Sequence, residues 1–386
     1  MDKKNFINIL DFGASKIRFA VFNNELKQQY SDTKSVKYNT DYSNHLEEIS
    51  LIVKKAERNI AMHIQDIVLS LDQENLFTLD LSFRKNFDKE LKINKIYETL
   101  ILELQQILSS HYNKLEIIHI IFSRCIIDDK IYIELPEDNM TNNIVVDFKV
   151  ICFPKKIINN IKEILNKINV KVLNFFCTSY LKSSSYIRKL NLENASFLEI
   201  GYKRTNLICY EKKRLKFIQS IPIGGMHITK DIADIFKITQ DEAEKIKRSF
   251  NKSETDFSYM DNHEENDLTI NEISKKKISI NLLKKVILYR IQEIIDISFK
   301  RSNIQKYSIE LKNSDLFFIG DGSILLNKNA FYLSDKFGFK DLNFYDEKDN
   351  QICNSILVHY INNHELPKRN SKKQGLFEKF FFFFSK

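Results

Sequence analysis

The spacing of hydrophobic residues changes period several times along the chain, and each change marks an element. "FINILDFGASKIRFAVFNN" is dense in apolar residues on both sides of Gly13, the pattern of two strands joined by a tight turn. "DYSNHLEEISLIVKKAERNIA" sets Leu46, Ile49, Val53, Ala56 and Ile60 in steps of three and four, which predicts a helix with one apolar face. "DIVLSL" reads as a buried strand. From about residue 80 the texture becomes that of a compact α+β unit. It predicts a strand, a helix around 96–108, then strands at "LEIIHIIF", "KIYIEL" and "NIVVDFKVICF". "KIINNIKEILNKINVKVLNFF" returns to helix followed by strand.

A second α/β half opens at "NASFLEIGYKRTNLICYEKKRLKFIQSIPIGG", which holds three strand-like segments. Helices are expected at about 227–237 and 239–250, then a polar, acidic loop in "NKSETDFSYMDNHEENDL", then a long helix from about 280 to 301. "SDLFFIGDGSILL" reads as a strand running into a glycine turn and a helix. Both halves open on a hairpin whose first strand ends in acid, apolar residue, glycine. That repetition predicts a duplicated fold.

The glycines sharpen the picture. There are only 8, at 13, 201, 224, 225, 320, 322, 338 and 375, and most stand in short motifs at strand ends or helix starts. A chain so sparing in glycine keeps it where a side chain is not tolerated. In "LDFGASK", Asp11 ends a strand, Gly13 permits the turn, and Ala14, Ser15 and Lys16 follow. Backbone N–H groups of such a turn suit phosphate oxygens, and the carboxylate suits Mg²⁺ through water; an ordinary hairpin turn fits the same residues. Glu199 and Gly201 repeat the arrangement in "LEIGYKR". Glu244 and Lys247 lie one helical turn apart and could reach a ribose together, or form an exposed ion pair. Gly320, Gly322 and Ser323 in "GDGS" would let a flat ring lie against bare backbone.

Composition adds limits. With 386 residues, 43% hydrophobic and 28% charged, the chain is of globular type and long enough for more than one domain. The net charge of +8 is spread along the length, and no nucleic-acid-binding pattern accompanies it, so no nucleic acid is expected as a partner. The five cysteines are scattered and never in CxxC, which predicts reduced thiols and no zinc site. The N-terminus has no signal-peptide character, and no apolar run reaches the length of a membrane span.

The order of these motifs resembles that of the actin-like ATPases. Within them, "SIPIGGMHITKDIADIFKITQDEAEKIK" is similar to the FtsA cell-division proteins, particularly those of alphaproteobacteria, and "SDLFFIGDGSILL" to their adenosine motif. The resemblance implies an α/β, actin-like, ribonuclease H-like duplicated fold with an inserted small α+β subdomain and a C-terminal amphipathic helix. It places subdomain 1A at 1–79 and 159–192, the inserted 1C at 80–158, 2A at 193–245 and 306–361, 2B at 246–305, and a linker at 362–374. It implies ATP and Mg²⁺ in the cleft, held by Asp11, Gly13, Ala14, Ser15, Lys16, Glu199, Gly201, Gly224, Gly225, Glu244, Lys247, Gly320, Gly322 and Ser323, with Asp11 toward the metal. It also implies a head-to-tail polymer of the chain with itself, a C-terminal peptide of the tubulin-like protein FtsZ bound at 246–305, and later division proteins met by 80–158.

The last segment, "GLFEKFFFFFSK" at 375–386, is implied to be a membrane-targeting helix on the inner face of the cytoplasmic membrane at the division site. On a helix, Leu376, Phe377, Phe380, Phe383 and Phe384 share one broad face, Phe381 adds to the apolar set, and Phe382 falls on the polar side. Lys368, Arg369, Lys372 and Lys373 flank it, as an interfacial anchor requires. A β-prone tail that packs on its own protein is the other reading of the same run. The chain also departs from the pattern it resembles. Ala14 replaces a hydroxyl residue, and bulky Tyr202, Lys203 and Arg204 follow Gly201 in place of a glycine run. No water-activating residue is recognisable in "FFCTSYLKSSSYI", so turnover of ATP is not expected to be strong. A sugar-kinase-like phosphotransferase and a pilus-assembly adaptor are the alternatives on the same fold.

Overall fold

The computed structural model describes residues 6–36, 45–252, 278–300, 314–323, 325, 338–345 and 349–364. Of the acidic loop, 251–252 are helical and 253–268 lie outside the described residues, as does part of the 246–305 region; of the 362–374 linker, 362–364 are helical, and the rest with the phenylalanine tail lies outside.

The first sheet is built from β1 (Ile7–Phe12), β2 (Lys16–Phe22), β3 (Gln28–Ser35), β4 (Asp66–Leu71) and β9 (Lys171–Cys177), in the order β3-β2-β1-β4-β9. β1, β2 and β3 run antiparallel, and β4 and β9 join parallel to β1. The second sheet repeats this plan with β10 (Ala195–Ile200), β11 (Thr205–Glu211), β12 (Arg214–Ile221), β13 (Asp315–Ile319) and β14 (Leu342–Phe344), in the order β12-β11-β10-β13-β14. The duplication read from the hairpins is therefore a duplication of whole-sheet topology. β1 and β10 are the central strands, buried on both faces, which is why their sequences are apolar nearly throughout.

A third, antiparallel sheet interrupts the first half between β4 and β9. It contains β5 (Phe77–Lys92), β6 (Leu115–Ile127), β7 (Lys130–Tyr132) and β8 (Met140–Pro154), covered by α2 (Ile93–His111). α2 packs through Ile93, Ile96, Leu100, Leu104 and Leu108. β8 serves two cores by alternation: Val146, Phe148, Val150 and Cys152 face α2, while Ile151 and Phe153 face the first half. The strand expected at "KIYIEL" stops at Tyr132, because it is an edge strand and the chain turns at Pro136.

Helices fill the faces. α1 (Leu46–Ile60), α3 (Lys155–Asn166) and α4 (Thr178–Lys189) belong to the first half, and α5 (Gly225–Phe236), α6 (Gln240–Lys252) and α7 (Ile280–Lys300) to the second. The last, α8 (Asp349–His364), returns to the first sheet through Ile352, Cys353, Ile356 and Leu357. One apolar cluster runs from Leu10 and Leu69 through Ile187 of α4 to Phe197 and Phe317 of the second sheet, so the halves share a core. The five cysteines are buried and unpaired.

Candidate functional site

The two hairpin turns face each other across one cleft. In the first, the Gly13 N–H donates to Lys16 O at 3.0 Å; in the second, the Gly201 N–H donates to Arg204 O at 2.9 Å. Two residues before each glycine stands an acid, Asp11 or Glu199, and the register sets Arg18 opposite Asp11 and Asn206 opposite Glu199. Arg18 Nη1 donates to Asp11 Oδ2 at 2.9 Å, and Asn206 Nδ2 to Glu199 Oε2 at 3.1 Å. The likeness read in the two motifs thus extends to how each acid is held.

α4 reaches both acids from between the sheets. Thr178 Oγ1 donates to Asp11 Oδ1 at 2.9 Å, and one turn later Lys182 pairs with Glu199 in full burial. This explains a polar helix in a buried place. Its hydroxyls and its lysine find partners, as buried polar groups must. Ser183 bonds Ser179 O at 2.8 Å and lies 3.0 Å from the Tyr210 hydroxyl.

Further ion pairs cross the cleft. Lys16 meets Asp321 at 2.7 Å, Arg18 Nε meets Asp349 at 2.5 Å, and Arg204 Nη2 lies 3.6 Å from Asp72. Asp72, just past the end of β4, also accepts from the Ser179 N–H and hydroxyl at 3.0 and 2.9 Å. Burial pushes the Asp72 carboxyl up, and neighbouring Glu199 adds to that against the pull of Arg204. Burial opposes ionisation of Glu199 as well, but Lys182 overrides it and holds that carboxyl below its usual range. Asp321 is likewise held down, with burial opposed chiefly by Lys16. Burial is the main cause that lowers Lys203, with Arg204 beside it and Glu74 in opposition.

The expected site residues separate into two groups. Asp11, Gly13, Ala14, Ser15, Glu199, Gly201 and Gly320 line the cleft, and Lys16 reaches its edge through Asp321. The others serve the packing around it. A Cβ on Gly224 would stand 2.5 Å from Gly201 O, and one on Gly322 2.6 Å from Ile200 Cγ2, so these glycines admit neighbouring chain. Gly320 has φ +85°, and its Cβ would meet Ile200 O at 2.8 Å. The α5 N-terminus is used internally: the Gly225 and Met226 N–H groups donate to Gly201 O and Tyr202 O. Ser323 closes onto Gly320 O at 2.7 Å.

Glu244 and Lys247 form a pair at 2.7 Å that is buried, not exposed. Lys247 Nζ also donates to Thr229 Oγ1 and Gly225 O, at 2.8 and 2.9 Å, and sits over the Tyr202 ring. The pair fixes α6 to the start of α5.

Sequence reasoning missed Arg18, Asp72, Lys182, Asp321 and Asp349. A signal existed for Arg18, which a tight hairpin must set opposite Asp11, and for Asp321, which lies inside the GDGS motif. Nothing local marks Lys182 or Asp349.

The residues present fit phosphates better than they fit a divalent cation. Arg204 and Lys182 line the cleft, and Arg204 Nε is buried without a hydrogen-bond partner among the described residues, a donor suited to an anion. Asp11, the residue expected to face Mg²⁺, instead accepts from Arg18, Thr178 and Ser70, the last at 2.8 Å. The hairpin register is what brings that guanidinium to the carboxylate. Among the described residues no group of three or more His, Cys, Asp or Glu is placed to hold a metal.

Residues 197–365 match the family model "Cell division protein FtsA". Curated relatives of that name include one from Staphylococcus epidermidis, 24% identical over 65% of this chain and 55% of the relative. Another, from Bacillus subtilis, is 22% identical over 54% of this chain and 47% of its own length. The matched region spans about half the length of these relatives. Among solved structures, the PilM–PilN type IV pilus biogenesis complex is similar at 13% identity, with a TM-score of 0.61 over 94% of this chain and 99% of that one. MreB5 of Spiroplasma citri bound to ADP is similar at 11% identity, with a TM-score of 0.52 over 95% of this chain and 99% of that one. The fold is actin-like, and the resemblance to FtsA seen in the motifs is borne out.

Proposed function

We propose that this actin-like, FtsA-similar chain is a nucleotide-binding adaptor of bacterial cell division. It polymerises head to tail and holds FtsZ filaments against the inner face of the cytoplasmic membrane. The observation that carries the reading is the family match over 197–365, which takes in the second sheet, α5, α6, α7 and α8. MreB5, on the same fold, is described bound to ADP and to AMPPNP, which supports a nucleotide in this cleft. The phosphates would lie between the turns at Gly13–Lys16 and Gly201–Arg204. The order of the two halves and the inserted module supports the subdomain division at 1–79 and 159–192, 80–158, 193–245 and 306–361, and 246–305. FtsZ peptide is assigned to 246–305, and later division proteins to 80–158.

The tail at 375–386 is the membrane element of this reading. Complete burial of a Phe stabilises by about 1.5–3 kcal/mol, so a few partly inserted rings bind one subunit weakly. A polymer multiplies the contacts and holds by avidity. Co-sedimentation of the full chain and of a 1–374 truncation with anionic liposomes tests it. The expected outcome is pelleting of the full chain, strengthened by ATP, and loss of pelleting on truncation. Equal pelleting of both would place membrane contact elsewhere. Absence of any affinity for the FtsZ C-terminal peptide would remove the division role.

A pilus-assembly adaptor is the second reading, favoured by the likeness to the PilM–PilN complex over nearly the whole chain. Binding of FtsZ peptide by the full chain decides between the two.

A further inference from the structure

Among the described residues, all four carboxylates that line the cleft already have a cation of the chain. Asp11 meets Arg18, Asp72 lies 3.6 Å from Arg204, Glu199 meets Lys182, and Asp321 meets Lys16. The tightest case is Asp11, which is 2% exposed at the end of β1. Its Oδ1 accepts from the Ser70 and Thr178 hydroxyls, and its Oδ2 accepts from Arg18 Nη1.

A divalent cation drawn to Asp11 would meet a guanidinium already hydrogen-bonded to the carboxylate. Like charges at that separation repel strongly in a poorly solvated site. Arg18 is also anchored on its far side, where Nε donates to Asp349 at 2.5 Å. The side chain cannot swing away without breaking two ion pairs. Its remaining nitrogen, Nη2, is engaged by neither carboxylate.

We propose that the cleft binds the phosphates of a nucleoside di- or triphosphate without a divalent cation, with Arg18 occupying the place at Asp11 that a metal would take. Guanidinium groups suit the task, since they stay charged and donate in a planar fork to phosphate oxygens. Arg204 supplies a second such group from the opposite turn, and its buried Nε has no partner among the described residues. The two arginines come one from each half, so a phosphate between them is gripped from both sides. The inference rests on the nucleotide reading above and adds to it the cation requirement.

The test is equilibrium dialysis of the full chain against radiolabelled ADP and ATP, in EDTA and in Mg²⁺. The expected result is binding in both buffers, with Kd equal within about threefold. Binding in Mg²⁺ that weakens by about tenfold or more in EDTA would overturn the inference and leave the nucleotide reading standing. Binding in neither buffer would overturn both. Arg18→Gln should free Asp11 and create a Mg²⁺ requirement of about tenfold or more, whereas Arg18→Lys should keep binding indifferent to Mg²⁺. A folded Arg18→Gln chain that stays indifferent to Mg²⁺ would show that Arg18 is not the substitute cation. The wild-type comparison decides the matter even if Arg18→Gln does not fold.

Discussion

Lys16 and Lys182 both pair with a carboxylate of the other half, but solvent treats them differently. The Lys16–Asp321 pair has side chains 27% and 47% exposed, whereas Lys182 and Glu199 are 5% and 9% exposed. Exposed pairs contribute about 0–1 kcal/mol, because water screens them and two long side chains must be ordered. Removing one member of a buried pair costs about 3–5 kcal/mol, because the charge left behind has no solvent. Lys16→Ala should therefore lower unfolding free energy by less than about 1 kcal/mol, and Lys182→Ala by about 3–5 kcal/mol, in urea titrations at neutral pH. The second loss should shrink in acid. Glu199 has a depressed carboxyl, so its pairing stabilises above the ordinary carboxylate range and is lost as pH falls through the lowered value. Equal costs for the two substitutions would contradict this account of burial.

α8 docks on the first sheet through an apolar stripe and an aromatic cluster. His359 lies 5.3 Å from both His119 and Phe176, and 5.8 Å from Tyr180, measured between ring centroids. Burial, helped by Arg188, lowers His359 from 6.5 to about 4, and its Nε2 has no partner among the described residues. Burial also lowers His119, with His359 adding to it, and its Nε2 accepts from the Cys177 N–H at 2.9 Å. A histidine lowered on folding binds fewer protons in the folded chain than in the unfolded one. Its contribution is therefore fully present above pH 6.5 and is lost as pH falls toward 4. For His359 the full loss is about 3 kcal/mol. His359→Phe should flatten the fall in stability across that window relative to wild type. Parallel pH curves for the two chains would show that the ring is not the titrating group.

The two halves are tied on one side by apolar contact and on the other by charge. Phe197 of β10 stacks on Tyr186 of α4 at 6.1 Å and on Phe317 at 5.1 Å, within the same cluster that holds Leu10. That shared cluster ties the halves together, so pulling them apart exposes apolar surface of both. Amides of β1 and β10 should exchange with the same free energy of opening, within about 1 kcal/mol, in native-state hydrogen exchange. A larger gap would mean that one half opens while the other stays folded. The inserted module is a different case, since its core is closed mainly by α2 and its own sheet.

Most elements were legible from spacing alone. The apolar runs around Gly13 and Gly201 gave hairpins, and the three-and-four steps gave α1, because strand and helix periods are local properties of the chain. The repeated hairpin motif also announced the duplication. What each charged group touches was not legible. Arg18 and Asp349 are 331 positions apart, and Asn206 and Asp72 are 134 apart. A buried charge takes whichever partner the fold brings, and no spacing encodes that choice. The glycines show the same division. Their scarcity marked places where a side chain is excluded, but only the packed structure identified what excludes it: the Gly201 carbonyl at Gly224, the Ile200 carbonyl at Gly320, and the Ile200 side chain and carbonyl at Gly322. The sequence by itself determined the two hairpins and most of the helices, whereas β3, β14 and α8 were not read from its pattern. Tertiary structure decided which charges are satisfied inside the cleft, because that depends on distances across the chain rather than along it.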